Sequence, residues 1–504
     1  MSFEEFKKGP TKKNHPSYRD SFLHMRPAPE FASGEVVLAS TYRSVGSTIS
    51  ESKVPTLGRE FSKKITRENR PHTPGRIDTD SWQGLITGTL RSPKQPNQSS
   101  KRFLQISPVV PDATIYSLSA RLTTNSWNPG ELVSRIIQFS KSSQHDSQSL
   151  WDKLFYSLCV DGNDDIWARF LQQEFEQWRG VEASESWKEP TQIKEVDAIN
   201  GWRATPIDIP ATQFSLDLEH VISLKSHLTR RQWVSMLESI IRLGSASHIL
   251  WLCNANMVCF DLIKDALFGK PVPDIDVIKK KISVGEGYWR LGQYSSGTIS
   301  QYSIEYIKAR FGINLILYQL EKDFKATFNA NCMSNITEIA KFLNWIASDS
   351  IRNNFDKASF DNDYIDVIES DERLIAGKKG ITANIAEFIR HSLGQRQTGE
   401  PGLDSYDQGY FLAKRGRSKS ARWEVSLGPV SILTLVHVCT HDAKGPRTID
   451  NLCDHLSKYG IDIKAQDVAT SKLGTTLRNL GLVLDSPDAE GGMVLINPFE
   501  LMVE

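Results

Sequence analysis

The sequence lacks the patterns that mark a disulfide-bonded, secreted or membrane-spanning protein. Its six cysteines include no CxxC pair, and no Cys/His cluster has the spacing of zinc ligands. The N-terminal residues are polar and charged and contain no apolar core of a signal peptide. The most apolar stretch, residues 248–263, is shorter than the roughly 20 residues that span a bilayer, and polar residues interrupt it. These absences predict a soluble, cytoplasmic protein with no membrane partner, whose cysteines are small buried hydrophobic residues.

Signatures of common catalytic and cofactor sites are also missing. The sequence contains no GxxxxGK[ST], GxGxxG, HExxH or GxSxG motif. Asp274 and Asp276 precede three lysines, an order that some metal-dependent nucleases use, but these acids open a helix, where they favour the helix dipole. The acidic run 361–372 lacks the glycine and register of an EF-hand and is interpreted as a solvated face. We therefore predict no catalytic, cofactor-binding or metal-ligating residues.

The composition is that of a globular protein with several domains. A chain of 504 residues exceeds one ordinary core, and 39% hydrophobic residues are enough to form real cores. Lys and Arg together number 60, as do Asp and Glu, so the formal net charge is zero. This balance hides a strong charge asymmetry along the chain, which bears on the choice of partners.

Residues 1–110 are rich in Pro, Ser, Lys and Arg. Up to Arg102 the segment has 18 Lys and Arg against 10 Asp and Glu, a net charge of +8, and its apolar segments are short. Such a segment does not fold compactly alone, so it is either a flexible tail or an extended basic arm that becomes ordered on a partner subunit or on the body. Scattered aromatic residues favour the arm: Phe3, Phe6, Tyr18, Phe22, Tyr42, Phe61 and Trp82.

Residues 111–395 carry helical periodicity and are predicted to form a multi-helical body. Apolar residues recur with helical spacing over 150–158 and again over 166–178. A third helix is predicted with Thr229 as N-cap and Gly244 as its C-terminal stop. Further helices are expected at 246–268, 300–311, 335–348 and 381–393. A polar, proline-containing loop at 182–213 is a possible boundary inside this body.

Residues 396–423 read as a linker followed by a basic strip. The strip runs from Lys414 to Arg422 and holds five cations in nine residues, with no acid. Two interpretations compete: a solvated loop, or a strip that contacts phosphates beside the last domain. The cations are Lys414, Arg415, Arg417, Lys419 and Arg422.

The last segment, residues 424–504, has the most specific pattern. Helices are predicted at 430–439, from Thr448 to Gly460, and from about Ala465 to Leu480. Two short apolar runs follow, 482–485 and 493–497, separated by a seven-residue turn. This order of three helices and a hairpin resembles the winged-helix fold. The resemblance implies an α+β module that binds DNA or another protein, and leaves that choice open.

The charge of this module weakens the argument for DNA. It contains 6 Lys and Arg against 11 Asp and Glu, a net charge of −5. Phosphate neutralisation dominates non-specific DNA affinity, and the third helix supplies only Lys472 and Arg478 as cations. The basic strip and the N-terminal arm carry the positive charge that the module lacks.

Taken together, the sequence predicts a mainly α-helical protein with a helical body, a C-terminal winged-helix module and an extended basic arm. The favoured hypothesis is a non-enzymatic scaffold or adaptor subunit of a bacterial multi-protein complex on DNA, with a layout that resembles accessory proteins of anti-phage defence. Its partners would be protein subunits, bound through the arm and the winged helix, and duplex DNA, bound weakly and non-specifically. The residues predicted to contact the DNA are Lys414, Arg415, Arg417, Lys419, Arg422, Lys472 and Arg478. The alternatives are a metal-dependent nuclease-like enzyme with an unrecognised site and a winged-helix transcriptional regulator.

Overall fold

The structure is a computed structural model, and it is mainly helical, as the sequence predicts. It describes residues 2–10, 13–25, 32–47, 49–66, 78–92, 106–117, 128–179, 187–195, 197–203, 207–283, 287–324, 332–370, 380–394, 406–414, 421–441, 443, 445–484 and 492–499. Within these residues the chain forms α-helices, a few short 3₁₀ or π segments and short strands.

The helices of the N-terminal segment and the body are α1 (Phe3–Lys7), α2 (Pro16–Arg19), α3 (Gly34–Gly46), α4 (Val54–Thr66), α5 (Thr79–Leu85), α6 (Pro129–Ser140), α7 (Gln144–Leu158), α8 (Ile166–Trp178), α9 (Asp197–Arg203), α10 (Pro210–Ser223), α11 (Arg230–Leu267), α12 (Ile275–Ile282), α13 (Ser296–Phe324), α14 (Ile336–Ile346), α15 (Asp349–Arg352), α16 (Lys357–Ser370) and α17 (Gly380–Leu393). The C-terminal helices are α18 (Pro429–Thr440), α19 (Ile449–Ser457), α20 (Ala465–Val468) and α21 (Lys472–Asn479). The strands are β1 (Trp289–Arg290), β2 (Leu412–Lys414), β3 (Trp423–Val425), β4 (Arg447–Thr448), β5 (Ile461–Asp462), β6 (Val483–Leu484) and β7 (Val494–Leu495).

The 38-residue helix α11 is the centre of the main core. Thr229 caps it as predicted, in a capping box with Gln232. The prediction that Gly244 ends the helix is wrong, because α11 continues to Leu267. A Cβ at Gly244 would lie 2.2 Å from the Phe214 ring, so this glycine allows close packing of α10 against α11.

Helix α11 also contains the most apolar stretch of the sequence. Among the described residues it is the one helix long and apolar enough to cross a membrane, yet 78% of its most apolar window is buried inside the protein. Such burial is typical of a central core helix, as predicted for residues 248–263. The other helices predicted in the body are present as α7, α8, α13, α14 and α17.

The described parts of the N-terminal segment are helical, so the prediction of an extended arm is corrected here. Helix α3 is almost entirely buried in the main core, and its Arg43 forms a buried ion pair with Glu51 at 2.8 Å. The seven aromatic residues that suggested anchoring are all buried. Apolar helices such as α3 pack against the body, and this packing lets the segment fold there despite its polar composition.

A second, smaller core lies beside the main one. Helices α4, α5 and α8 build it with the 3₁₀ turn Asp112–Ile115. Phe61 stacks on Tyr116 at a ring distance of 4.2 Å, and Phe175 and Trp178 of α8 surround the pair. Helix α8 therefore joins the N-terminal segment to the body.

The C-terminal segment forms three helical regions and a three-stranded antiparallel sheet of order β4-β7-β6. The strands expected at 482–485 and 493–497 are present as β6 and β7, and most of the turn between them lies outside the described residues. The predicted third helix is divided into α20 and α21, because Ser471 caps a new helix by accepting a hydrogen bond from the Gly474 backbone.

This segment packs tightly on the body. Its apolar residues belong to the same core as α11, and β5 pairs in parallel with β1 of the body. The carboxylate of Asp217 on α10 is fully buried, with the Tyr459 hydroxyl at 2.6 Å and His455 Nε2 at 2.8 Å. Buried polar contacts of this kind fix one orientation between the two parts.

Candidate nucleic-acid interface

The basic strip joins the two strands of an antiparallel hairpin. Lys414 ends β2 and Arg422 directly precedes β3, and Lys414 faces Trp423 in the register of the two strands. The other strip residues predicted to bind nucleic acid, Arg415, Arg417 and Lys419, lie outside the described residues. The sequence indicated a loop here, and the flanking strands show that the strip is the connection of a hairpin.

The hairpin is held to the body by hydrogen bonds on one side. The Gly292 and Ser295 amides donate to the Val425 and Trp423 carbonyls at 2.9 and 3.0 Å, so residues 291–295 extend the hairpin by an irregular third strand. β1 immediately precedes this segment and pairs with β5 of the C-terminal segment. The hairpin, the body and the C-terminal segment therefore share one continuous set of strand contacts.

A buried ion pair fixes the chain just before the hairpin. The Arg242 guanidinium on α11 contacts both carboxylate oxygens of Asp407, at 2.8 and 2.9 Å. It also donates to the Ser392 carbonyl at the end of α17. Bidentate pairs of this geometry are strong and directional, so they anchor the start of β2 to the core helix.

Two described strip residues lie over aromatic rings. The Lys414 ammonium is 5.4 Å from the Trp423 ring centre, and the Arg422 guanidinium is 5.6 Å from the Tyr294 ring centre. Tyr294 is 51% exposed, and a Cβ at Gly297 would lie 3.1 Å from its ring, so glycine leaves room for the ring. Arg422 is exposed and Lys414 is half-buried. Cations that lie over aromatic rings at a surface are suited to contact both phosphates and unpaired bases.

A groove of about 380 Å³ separates the hairpin from the C-terminal helices. Its lining comes from residues 290–293, 424–427 and 462–464, from Asp467 and from residues 471–473. Lys472, predicted as a nucleic-acid contact, opens α21 at this groove. The fold thus brings Lys472 to the groove that is also lined by the strand after Arg422, although 50 positions separate Lys472 and Arg422 in the sequence.

The charge of the groove is mixed. Arg290 pairs with Asp462 at 2.8 Å, which neutralises both groups in part. Lys464 and Lys472 add positive charge, whereas Glu424 and Asp467 add negative charge. The charges of the residues that line the groove therefore nearly cancel.

Arg478, the other cation predicted on the third helix, is placed differently. Its guanidinium donates to the Ala469 carbonyl at 2.9 Å and lies 3.9 Å from the Met493 sulfur. Lys472, Thr475 and Asn479 form the exposed face of α21. Arg478 is also exposed, but these contacts draw it towards β7 and away from the groove.

Sequence reasoning missed Tyr294, Arg290 and Lys464. Their place beside the basic strip depends on contacts with residues more than 100 positions away, through β1, β5 and the bridge between Tyr294 and Glu424. The exposed aromatic Tyr294 next to a glycine-containing turn was the one local signal available.

The cysteines, His437 and His441 occupy positions typical of structural residues. The six cysteines are free, four of them buried, and burial raises the pKa of Cys332 and Cys439 to about 11, so they stay protonated thiols. His437 is a core residue and His441 a boundary residue, as predicted, and the ring of His220 lies 4.3 Å from that of His441.

Asp274 and Asp276 lie at the start of a helix, as predicted. Asp274 precedes α12, and Asp276 in its first turn pairs with Lys279 at 3.6 Å. In the described part of the chain, no group of three or more His, Cys, Asp or Glu side chains is arranged to hold a metal ion. A scan of the whole chain against protein-family models and a search of the curated proteins both found no match.

Proposed function

We propose that this chain is a non-enzymatic, DNA-associated scaffold or adaptor subunit of a bacterial multi-protein complex, of the kind that serves anti-phage defence. In this proposal residues 424–504 are a winged-helix module, and α21 is its third helix. The order of helices α18, α19 and α21 and the antiparallel sheet β4-β7-β6 support the module.

One observation carries the DNA contact. The strand that follows the basic strip and the N-terminal end of α21 line the same groove, so cations distant in the sequence lie near one another. The strip is exposed at Arg422, and Lys472 is exposed on α21. Phosphates are the ligands that such clustered, solvent-facing cations prefer.

The same surface explains why the binding is weak and non-specific. The acids Glu424, Asp462 and Asp467 line the groove and disfavour deep entry of a phosphate backbone. Contacts through five strip cations would give a slope of log K against log salt of about −4. Few side chains on α21 can form hydrogen bonds with base edges. Binding therefore depends more on charge than on the DNA sequence.

Protein contacts are supported by apolar residues on the far end of the module. Leu480 follows α21 and Leu484 lies on β6, and they are 41% and 63% exposed. Large exposed apolar side chains of this kind are better suited to a protein-binding surface than to a DNA-binding one. The proposed adaptor therefore uses one end of α21 for DNA and the other for a subunit.

A titration of duplex DNA at two salt concentrations tests the proposal. The five strip residues are neutralised in one variant: Lys414→Gln, Arg415→Gln, Arg417→Gln, Lys419→Gln and Arg422→Gln. A matched control removes five exposed or half-exposed cations from α4 and α12: Lys63→Gln, Lys64→Gln, Lys279→Gln, Lys280→Gln and Lys281→Gln. We expect salt-sensitive binding by the wild type and the control, and at least tenfold weaker binding by the strip variant. Equal affinities of all three proteins, or no binding by the wild type at low salt, would contradict the proposal.

A further inference from the structure

Tyr294 is an exposed aromatic side chain at the edge of the basic hairpin. It is 51% exposed, and its chain neighbours Gly292, Gln293 and Gly297 are exposed as well. The proposed phosphate contact uses one part of the ring, over which Arg422 lies, and leaves the rest of its surface open to solvent. The ring is therefore accessible to a planar ligand.

The backbone that carries Tyr294 is held on both sides. The Gly292 amide donates to the Val425 carbonyl at 2.9 Å, and the Ser295 amide donates to the Trp423 carbonyl at 3.0 Å. Tyr294 lies between these two bonds, which join it to β3. A ring on an anchored backbone loses little conformational freedom when a ligand stacks on it, so its position favours stacking.

Each of two aromatic rings at the hairpin has a cation beside it. The exposed Arg422 guanidinium lies 5.6 Å from the Tyr294 ring centre. The Lys414 ammonium lies 5.4 Å from the ring centre of Trp423, and both of these residues are half-buried. A nucleotide contains the two groups that match such a pair: a base that stacks on an aromatic ring and a phosphate that attracts a cation.

The groove beside the hairpin favours a ligand of low charge density. Its lining contains three acids, Glu424, Asp462 and Asp467, and three cations, Arg290, Lys464 and Lys472. Duplex DNA carries about one negative charge per 1.7 Å of its axis, whereas a single strand carries about one per 3.4 Å. The acids therefore repel a single strand less, and stacking adds affinity that does not depend on charge.

We infer that the hairpin binds the unpaired bases of single-stranded DNA at the end of a duplex, with a base stacked on Tyr294 and an adjoining phosphate on Arg422. In a duplex the faces of the bases are covered by their neighbours, so only unpaired bases and the end of the duplex offer a free face to the ring. This inference rests on the proposed DNA contact of the basic strip and names the form of DNA that the surface prefers.

Fluorescence anisotropy titrations of the full-length protein with three labelled DNAs test the inference. The first DNA is a blunt duplex, the second is the same duplex with a short single-stranded extension, and the third has an extension of equal length whose sugars lack bases. The two extended DNAs carry the same charge, so a difference in their affinity reports stacking. We expect the extension with bases to bind at least about fivefold more tightly than the abasic one.

Variants of Tyr294 assign this preference to the ring. Tyr294→Leu should reduce the affinity ratio of the two extended DNAs to about one, whereas Tyr294→Phe, which keeps the ring, should preserve it. Tyr156→Leu is the matched control, since it removes a 64% exposed tyrosine from α7 and should leave the ratio unchanged. The comparison of the two extended DNAs uses the wild type alone, so it tests the inference even if a variant fails to fold.

Two results would overturn the inference and leave the proposed function standing. One is equal affinity of the wild type for the two extended DNAs, with binding that the five strip substitutions abolish, because the contact would then involve phosphates only. The other is a preference for bases that Tyr294→Leu retains, which would place the stacking elsewhere. Failure of the proposed function has a different signature: no binding of any of the three DNAs by the wild type at low salt, which contradicts both proposals.

Discussion

The Tyr459 hydroxyl donates a hydrogen bond to the Asp217 carboxylate over 2.6 Å, and this contact joins the turn after α19 to helix α10 of the body. His455 Nε2 lies 2.8 Å from the same oxygen. With every partner buried, the C-terminal segment has a fixed orientation on the body. The basic hairpin and α21 consequently face the same groove as parts of one rigid surface.

Removal of this carboxylate should destabilise the whole protein. Asp217→Ala leaves the side chains of Tyr459, His455 and Gln213 without their shared acceptor, so we expect a loss of about 2–4 kcal/mol in the free energy of unfolding. Urea denaturation measures it. Asp276→Ala, whose side chain is 88% exposed, serves as control and should change stability by less than about 0.5 kcal/mol. Equal stabilities of the two variants would contradict the anchoring role.

Replacement of two glycines by alanine should change the free energy of unfolding in opposite directions. In Gly244→Ala the new methyl group would clash with the Phe214 ring, so we expect a loss of about 1–3 kcal/mol. Gly84 lies in α5 with no atom within 4 Å of a built Cβ, so Gly84→Ala should gain about 0.5–1 kcal/mol from helix propensity. Thermal melting of both variants checks the pair, and a neutral Gly244→Ala would show that α10 and α11 pack less closely than described.

Stability should fall in mild acid because of His437. Burial, with His441 and His220 adding to it, lowers the pKa of His437 to about 4, against about 6.5 in the unfolded chain. Above pH 6.5 both states hold a neutral imidazole. Between pH 6.5 and 4 the unfolded state takes up a proton that the folded state excludes, so the free energy of unfolding decreases by up to about 1.4 kcal/mol per pH unit.

Denaturation at pH 7, 6 and 5 measures this slope. In His437→Gln the number of protons taken up on unfolding should fall by up to one, so the slope should decrease. His145→Gln, at a side chain that is 93% exposed, should leave the slope unchanged. A slope that is the same in wild type and His437→Gln would show that His437 titrates normally in the folded protein.

Tyr294 should contribute to DNA affinity by holding Arg422. In Tyr294→Leu the guanidinium loses its ring partner, which lies 5.6 Å away, and we expect duplex binding weakened about threefold. Tyr156→Leu provides the control, since Tyr156 is a 64% exposed tyrosine on α7. Unchanged binding by Tyr294→Leu, with a normal fold, would show that the ring does not position the strip.

The sequence was most informative where apolar spacing was regular and local. The stripe at 150–158, the capping residue Thr229 and the helix after Pro429 were predicted correctly, since each depends on neighbours within a few turns. Gly244 was misread because its role depends on the ring of Phe214, and α3 was missed because its partners lie on the distant α11. The polar composition of the N-terminal segment therefore gave no sign that α3 packs on the body through tertiary contacts.

The candidate interface was only partly predictable for the same reason. The five strip cations and Lys472 are visible in the sequence, but the pairing of β1 with β5 and of residues 291–295 with β3, which brings β3 and α21 to one groove, is not. Tyr294 and Arg290 enter the surface only through this pairing. Non-local strand contacts leave no periodic signal in a single sequence.

Lysine footprinting in the presence of saturating duplex DNA tests the central claim most directly. The protein is acetylated briefly at low salt with and without DNA, and modification of each lysine is measured by mass spectrometry. The account predicts joint protection of Lys414, Lys419 and Lys472, which the proposal assigns to one DNA-binding surface, and unchanged modification of Lys280 and Lys281 on α12. Equal modification of all five lysines with and without bound DNA would contradict a DNA-binding surface formed by the hairpin and α21.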